Sequence, residues 1–208
     1  GGEDTLDGGI GTDTLTGGGD SDTFVIRSGD GGSSISDADT ITDFTDGTDL
    51  IGLDNGLTFG GLNISQGSGA YANDVLVEID SSDEFLLIIQ NIAVSKINAL
   101  DFSSTNTENQ TLAGTSDNDT LIGGAGNDIF NGGSGNDTLV GQSGNDTFNI
   151  TSKSGSYSDS VYGGAGTDTL SINYSGVTKA SDLSWSYNTS TETHTGTDSN
   201  GGIISFTG

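Results

Sequence analysis

Eleven aspartates recur in this sequence at a spacing that could let them act together. Asp119, Asp128, Asp137 and Asp146 stand nine residues apart, each followed two positions later by Leu121, Phe130, Leu139 or Phe148. Asp4, Asp13, Asp22, Asp39, Asp49, Asp159 and Asp168 repeat the pairing with Leu6, Leu15, Phe24, Ile41, Ile51, Val161 and Leu170. Carboxylates at one position of a stacked repeat fall in a column, where like charges ~4 Å apart repel by about 1 kcal/mol even in water. The chain opposes 30 acids with only Arg27, Lys96, Lys153 and Lys179, for a formal charge of −26. An external hard cation can neutralise such columns. Carboxylate oxygens and the carbonyls of glycine turns are the donors calcium prefers, six to eight oxygens in flexible geometry. Zinc and copper want histidine or cysteine, and the sequence has one histidine, His194, and no cysteine. No run of an EF-hand type, with acids at alternate positions and a twelfth-position Glu, occurs.

The elements that position the aspartates can be read from the phrase around them. GTSDNDTLI, GGAGNDIFN, GGSGNDTLV and GQSGNDTFN follow one another without a gap from Gly114 to Asn149, and an internal repeat of this regularity dictates the architecture. Glycines at positions one, two and four permit positive φ, so each copy opens with a tight turn. Asp117 fills the fourth position in one copy and is expected to tolerate the left-handed region. The last three residues form a short strand with position eight facing one way and positions seven and nine the other. Two copies make one eighteen-residue coil: turn, strand, turn, strand. Stacked coils place Asp119 over Asp137 on one edge and Asp128 over Asp146 on the other. The expected fold is all-β, a parallel β-roll.

GGAGNDIFN and GGSGNDTLV resemble the GGxGxDxUx nonapeptide of the RTX (repeats-in-toxin) calcium-binding family. The resemblance implies a right-handed roll with calcium held between stacked turns. It implies as ligands the eleven position-six carboxylates and the main-chain carbonyls of positions one to four, including Gly8, Gly9, Gly11, Gly123, Gly124, Gly126, Gly132, Gly133, Gly135, Gly141 and Gly144. It further implies a bacterial protein exported by type I secretion that folds on meeting external calcium.

The rest of the chain reads as two related modules, 1–107 and 108–208. The first begins with GGEDTLD, GGIGTDTLT and GGGDSDTFV, in which Asp20 takes the fourth-position place. The sequences SDTFVI…DTIT and NDTFNI…DSVY correspond, each interrupted by a polar loop. Leu53 to Phe102 is the most hydrophobic region. There DVLVEID and EFLLIIQ predict an antiparallel hairpin across Ser81-Ser82-Asp83, Ser95 is placed to cap a short helix through Leu100, and the whole is expected to cap the roll. Ser103 to Gln110 reads as a polar linker. The second tail, from Ile172, alternates apolar residues with Ser and Thr and predicts strands, with GGIISFTG expected to lack a partner.

Other chemistry finds little support. No GxSxG elbow accompanies the serines, so no Ser-His-Asp arrangement is built around His194. The columned aspartates are committed elsewhere than to glycoside chemistry. Trp185, Tyr187 and Tyr174 fit a strand core or edge better than a sugar platform. The position-seven threonines form outward columns too short for ordering ice. Such acidity argues against nucleic acid and anionic membrane as partners, and no apolar run is long enough to span a bilayer. The opening inside a repeat suggests a segment of a larger protein. The expected function is non-enzymatic: a calcium-binding structural or assembly module of a secreted or cell-surface protein, pairing end to end with identical or neighbouring modules. The alternatives are the calcium-dependent folding and secretion region of a secreted enzyme, and an adhesive, carbohydrate-binding module.

Overall fold

In the computed structural model, residues 1–151, 157–173, 184–188, 193–197 and 203–207 are described. The chain divides into two compact units, Gly1–Thr105 and Asn106–Gly208. Neither contains a helix longer than a single 3-10 turn among the described residues, so none is long and apolar enough to cross a membrane.

In the first unit the copies alternate between two sheets. Strands β1 (Thr5–Asp7), β3 (Thr23–Ile26), β5 (Leu50–Leu53) and β9 (Phe102–Ser104) form one, parallel throughout. Register aligns Leu6, Phe24, Ile51 and Phe102 in one column, with Phe24, Ile51 and Phe102 fully buried. The second sheet begins with β2 (Thr14–Leu15) and β4 (Asp39–Ile41), parallel, with Leu15 opposite Ile41. The period-two alternation therefore delivers position eight to the interior.

The hydrophobic tail is built as the sequence suggests. Strands β7 (Val75–Ile79) and β8 (Glu84–Ile89) form the expected antiparallel hairpin, with a bulge between Val77 and Glu78 and Asp83 at positive φ in the turn. β6 (Leu62–Gln66) adds a third strand. The meander caps the end of the β2–β4 stack: β8 pairs parallel to β4 and continues its sheet, Ile89 beside Ile41. Leu86 to Ile89 are buried on both faces, one toward the roll and one under Ala38, Leu76, Ile35 and Tyr71. The helix expected from Ser95 is replaced by two 3-10 turns, Val94–Lys96 and Ala99–Asp101. The side chain that caps is Asn98, accepting from the Leu100 N–H at 3.0 Å while Asp101 accepts from the Asn98 N–H. Ser103 and Ser104 are not linker but β9, because they continue the strand that Phe102 anchors.

The second unit repeats this plan. β10 (Thr111–Ala113), β12 (Ile129–Asn131), β14 (Thr147–Thr151) and β16 (Thr169–Asn173) form one parallel sheet. β11 (Thr120–Gly124), β13 (Thr138–Ser143) and β15 (Ser158–Ala165) begin the other. That sheet continues through β19 (Ile203–Thr207), parallel to β15, then antiparallel through β18 (Thr193–Thr197) to β17 (Ser184–Asn188). The closing strand of GGIISFTG is therefore paired on both sides, contrary to expectation, because it enters between the roll and its own hairpin as β8 does in the first unit. Phe130 and Phe148 stack with centroids 4.7 Å apart, packed with Leu139, Ile150, Tyr157 and Val161. Coil spacing is eighteen residues from Phe130 to Phe148 and twenty-two from Phe148 to Leu170; the extra four are the polar interruption. Tyr174, Lys153 and Lys179 lie outside the described residues, as do the side chains of His194, Trp185 and Tyr187.

A candidate calcium ladder between coils

Apart from Asp4, Asp13 and Asp119, each aspartate of the repeat holds the coil before it. The carboxylate Oδ1 accepts a hydrogen bond from the main-chain N–H of the position-six residue one coil earlier: Asp119 to Asp137 (3.1 Å), Asp137 to Asp159 (3.0 Å), Asp128 to Asp146 (2.8 Å) and Asp146 to Asp168 (3.0 Å). In the first unit Asp4 donates to Asp22, Asp22 to Asp49, and Asp13 to Asp39. The columns are thus ladders, and all eleven predicted aspartates lie in one of four. Asp22, Asp39, Asp49, Asp128, Asp137, Asp146 and Asp159 are buried; Asp13, Asp119 and Asp168 are half-buried, and Asp4 is exposed.

The second carboxylate oxygen separates them. Asp119 Oδ2 accepts from the Thr115 N–H at 2.6 Å and Asp49 Oδ2 from the Thr45 N–H at 2.8 Å. Oδ2 of Asp22, Asp128 and Asp146 is buried with no hydrogen-bond partner. A buried, unpaired carboxylate oxygen is costly, and burial pushes the Asp146 carboxyl above its ordinary value of 3.8, as it does that of Asp39. A proton or a cation resolves that cost; nothing in the fold does.

The glycines form the cradle. At position one φ is ordinary, but the carboxylate of the same copy folds back over the α-carbon. A β-carbon on Gly132 would lie 2.6 Å from Asp137 Oδ2. On Gly123 it would overlap Asp128 Oδ2 and lie 2.9 Å from the carbonyl oxygen of Gly141 in the next coil. On Gly141 it would overlap Asp146 Oδ2 and lie 2.5 Å from the Gly163 carbonyl. Two oxygens from successive coils, with no hydrogen between them, therefore crowd one point. Positions two and four carry the positive φ, at Gly9, Gly11, Gly124, Gly133, Gly135 and Gly144. Asp20 and Gln142 adopt it where they replace glycine, whereas Asp117 and the position-four Gly126 do not. In the second unit the carbonyls of Thr115 and Asp117 point into Gly133 and Gly135 of the next coil, and those of Glu108 and Gly126 into Gly126 and Gly144. Gly9 and Gly11 have no such neighbour, since the interrupted first array does not stack its turns as closely. Gly8 instead faces two carboxylates, Asp13 and Asp39.

The donor set fits calcium. Among the described residues no three acidic or imidazole side chains converge on one point, so any ion here is held by one or two carboxylates and by carbonyls, all oxygen. When bound, calcium would supply positive charge to the unpaired Oδ2 atoms and the facing carbonyls.

Three features escaped the reading of the sequence. Position-five asparagines form counter-ladders: Asn109, Asn127 and Asn145 accept from the main-chain N–H of residues 127, 145 and 167, and Asn118 and Asn136 from residues 136 and 158, all at 2.7–2.8 Å. Their recurrence from Asn109 to Asn145 was the available signal, although Thr12, Ser21 and Thr167 hold the same position in other copies. Arg27 binds Asp7 (2.6 Å), Asp54 (3.1 Å) and Asp30 (3.5 Å) across three coils, and its guanidinium holds the Asp7 carboxyl below the usual carboxylate range. Arg27 thus serves flanking acids and leaves the position-six ladders alone. Asp43 receives the N–H groups of Gly17 and Gly18 at 3.1 and 2.8 Å, closing a turn with a carboxylate outside the repeat.

An acidic ladder with oxygen-lined cradles on a parallel β-roll defines a class of calcium-stapled repeat proteins. A family profile described as the RTX calcium-binding nonapeptide repeat matches residues 1–32, 105–139, 113–148 and 153–171. The chain carries RTX calcium-binding nonapeptide repeats. No curated protein sequence matches it. Among solved structures it is similar to the crystal structure of extracellular lipase LipA from Serratia marcescens, at 16% identity and a TM-score of 0.31. The match covers 98% of this chain and 36% of the lipase chain, so the chain spans little more than a third of that protein.

Proposed function

We propose that this chain is a calcium-folded structural module of a larger bacterial protein that is secreted or displayed at the cell surface, and that it is not itself an enzyme. The observation that supports this most is the set of buried, unpaired Oδ2 atoms of Asp22, Asp128 and Asp146. A chain of charge −26 cannot compact around such groups at neutral pH unless a cation enters with them. Sites of this oxygen-rich kind bind calcium in extracellular modules at about 10⁻⁴–10⁻³ M, which suits a protein unfolded inside the cell and folded outside it. The position-six aspartates serve as ladder acceptors, which leaves them no role in acid–base chemistry. A calcium-folding region within a secreted enzyme remains the second reading. It is favoured by the same ladder, and differs only in what the module is attached to.

Because calcium binds the folded roll and not the coil, its binding free energy appears as folding free energy. In chelator the far-ultraviolet circular dichroism of the chain is expected to be that of a coil. Adding calcium to a few times ~10⁻³ M is expected to produce a β spectrum, and magnesium at the same concentration to do so weakly or not at all. A full β spectrum in chelator at neutral pH contradicts the proposal.

A further inference from the structure

One rung of the ladders carries an amide side chain in place of a carboxylate. Residues 105–113, TNTENQTLA, form a degenerate copy directly before Gly114, and the repeat profile begins to match there. Thr111, Leu112 and Ala113 pair with Ile129, Phe130 and Asn131 as a regular copy would. Gln110 holds position six. Its N–H donates to Asp128 Oδ1 at 2.8 Å, as every position-six N–H does to the next carboxylate in its ladder. Its side chain does what no aspartate can: Nε2 donates to the carbonyl oxygen of Gly123 at 2.6 Å. Gly123 is position one of the next coil. The corresponding carbonyls facing Asp128 and Asp146 are those of Gly141 and Gly163, and each lies, with a carboxylate oxygen, close to the point a β-carbon on Gly123 or Gly141 would occupy. Position one of the degenerate copy is Thr105 rather than glycine.

We propose that Gln110 is a built-in substitute for calcium. Its amide N–H takes the place of the ion against the Gly123 carbonyl, so the first inter-coil position of the second unit binds no metal and closes without it. The inference rests on the calcium reading of the other rungs. It assigns a direction to folding: the β10–β12 edge is joined by an uncharged link at any calcium concentration, and ions add from the next rung on. A glutamine turned over, with its amide oxygen facing the gap, would be a ligand itself, and counting ions separates the two arrangements.

The test is native mass spectrometry of the full chain in saturating calcium, with a calcium titration of folding for each variant. Asp128→Ala is expected to bind fewer ions than the unsubstituted chain. Gln110→Ala is expected to bind the same number, with its folding midpoint raised roughly threefold, the worth of one lost hydrogen bond. Gln110→Glu has the same size but no donor, and is expected to raise the midpoint further or to bind one more ion. Loss of one ion in Gln110→Ala makes Gln110 a ligand and overturns the proposal, as does a Gln110→Glu chain with unchanged count and midpoint. If the unsubstituted chain binds no calcium, the reading of the whole ladder fails instead.

Discussion

Replacing Asp137 by alanine is expected to raise the calcium concentration needed for folding on the order of tenfold, while Asp168→Ala raises it only a few-fold. The two residues occupy the same position of the repeat and differ in their place along the ladders. Asp137 is buried, accepts the Asp119 N–H and donates its own to Asp159. Its removal leaves a main-chain donor without its acceptor, at about 1–3 kcal/mol, and takes a carboxylate from between two coils. Asp168 accepts from Asp146 but is half-buried in the last repeat of its column, so a gap there is partly hydrated and borders one coil. Calcium titrations of both variants by circular dichroism give the midpoints. Equal midpoints would contradict the stacking of sites that the ladder requires.

The second large effect separates stacking from turn conformation. Gly133 and Gly9 both hold position two of a copy, with φ of +90° and +72°. An alanine at either costs the left-handed backbone term, about 1 kcal/mol or somewhat more. At Gly133 the new methyl would also overlap the Thr115 carbonyl of the preceding coil, whereas at Gly9 it meets nothing within 4 Å. That overlap cannot be relieved by a rotamer change, since the obstacle is main chain. Gly133→Ala is therefore expected to destabilise the second unit by about 3 kcal/mol or more beyond the cost of Gly9→Ala to the first. Denaturant unfolding in saturating calcium measures the difference. Similar costs at the two positions would mean that the coils are less closely stacked than the Thr115–Gly133 approach indicates.

Much of this fold was legible because two periods coincide. The nine-residue phrase places one apolar side chain per strand, so Phe130, Leu139 and Phe148 could be assigned to the interior, and Asp128 over Asp146 to one edge, without coordinates. The hairpin of Val75–Ile79 and Glu84–Ile89 was equally plain from its apolar runs. What was not legible depended on neighbours a coil away. That position-one glycines such as Gly132 are required for space, and only positions two and four for positive φ, follows from where Asp137 folds. That Asn127 and Asn145 bind main chain between coils, that Arg27 gathers Asp7, Asp30 and Asp54, and that Gln110 takes part in the ladder all require the register first. The role of GGIISFTG was misjudged for the same reason: a local pattern predicts a strand but not the slot it enters.

The ions themselves provide the most direct test. In crystals grown with calcium, anomalous diffraction measured at long wavelength is expected to show peaks between successive coils, beside Oδ2 of Asp128 with the Gly141 carbonyl and beside Oδ2 of Asp146 with that of Gly163, and none beside Gln110. A well-ordered roll in calcium with no anomalous peak beside either carboxylate, or with peaks confined to surface acids away from the ladders, would contradict the account.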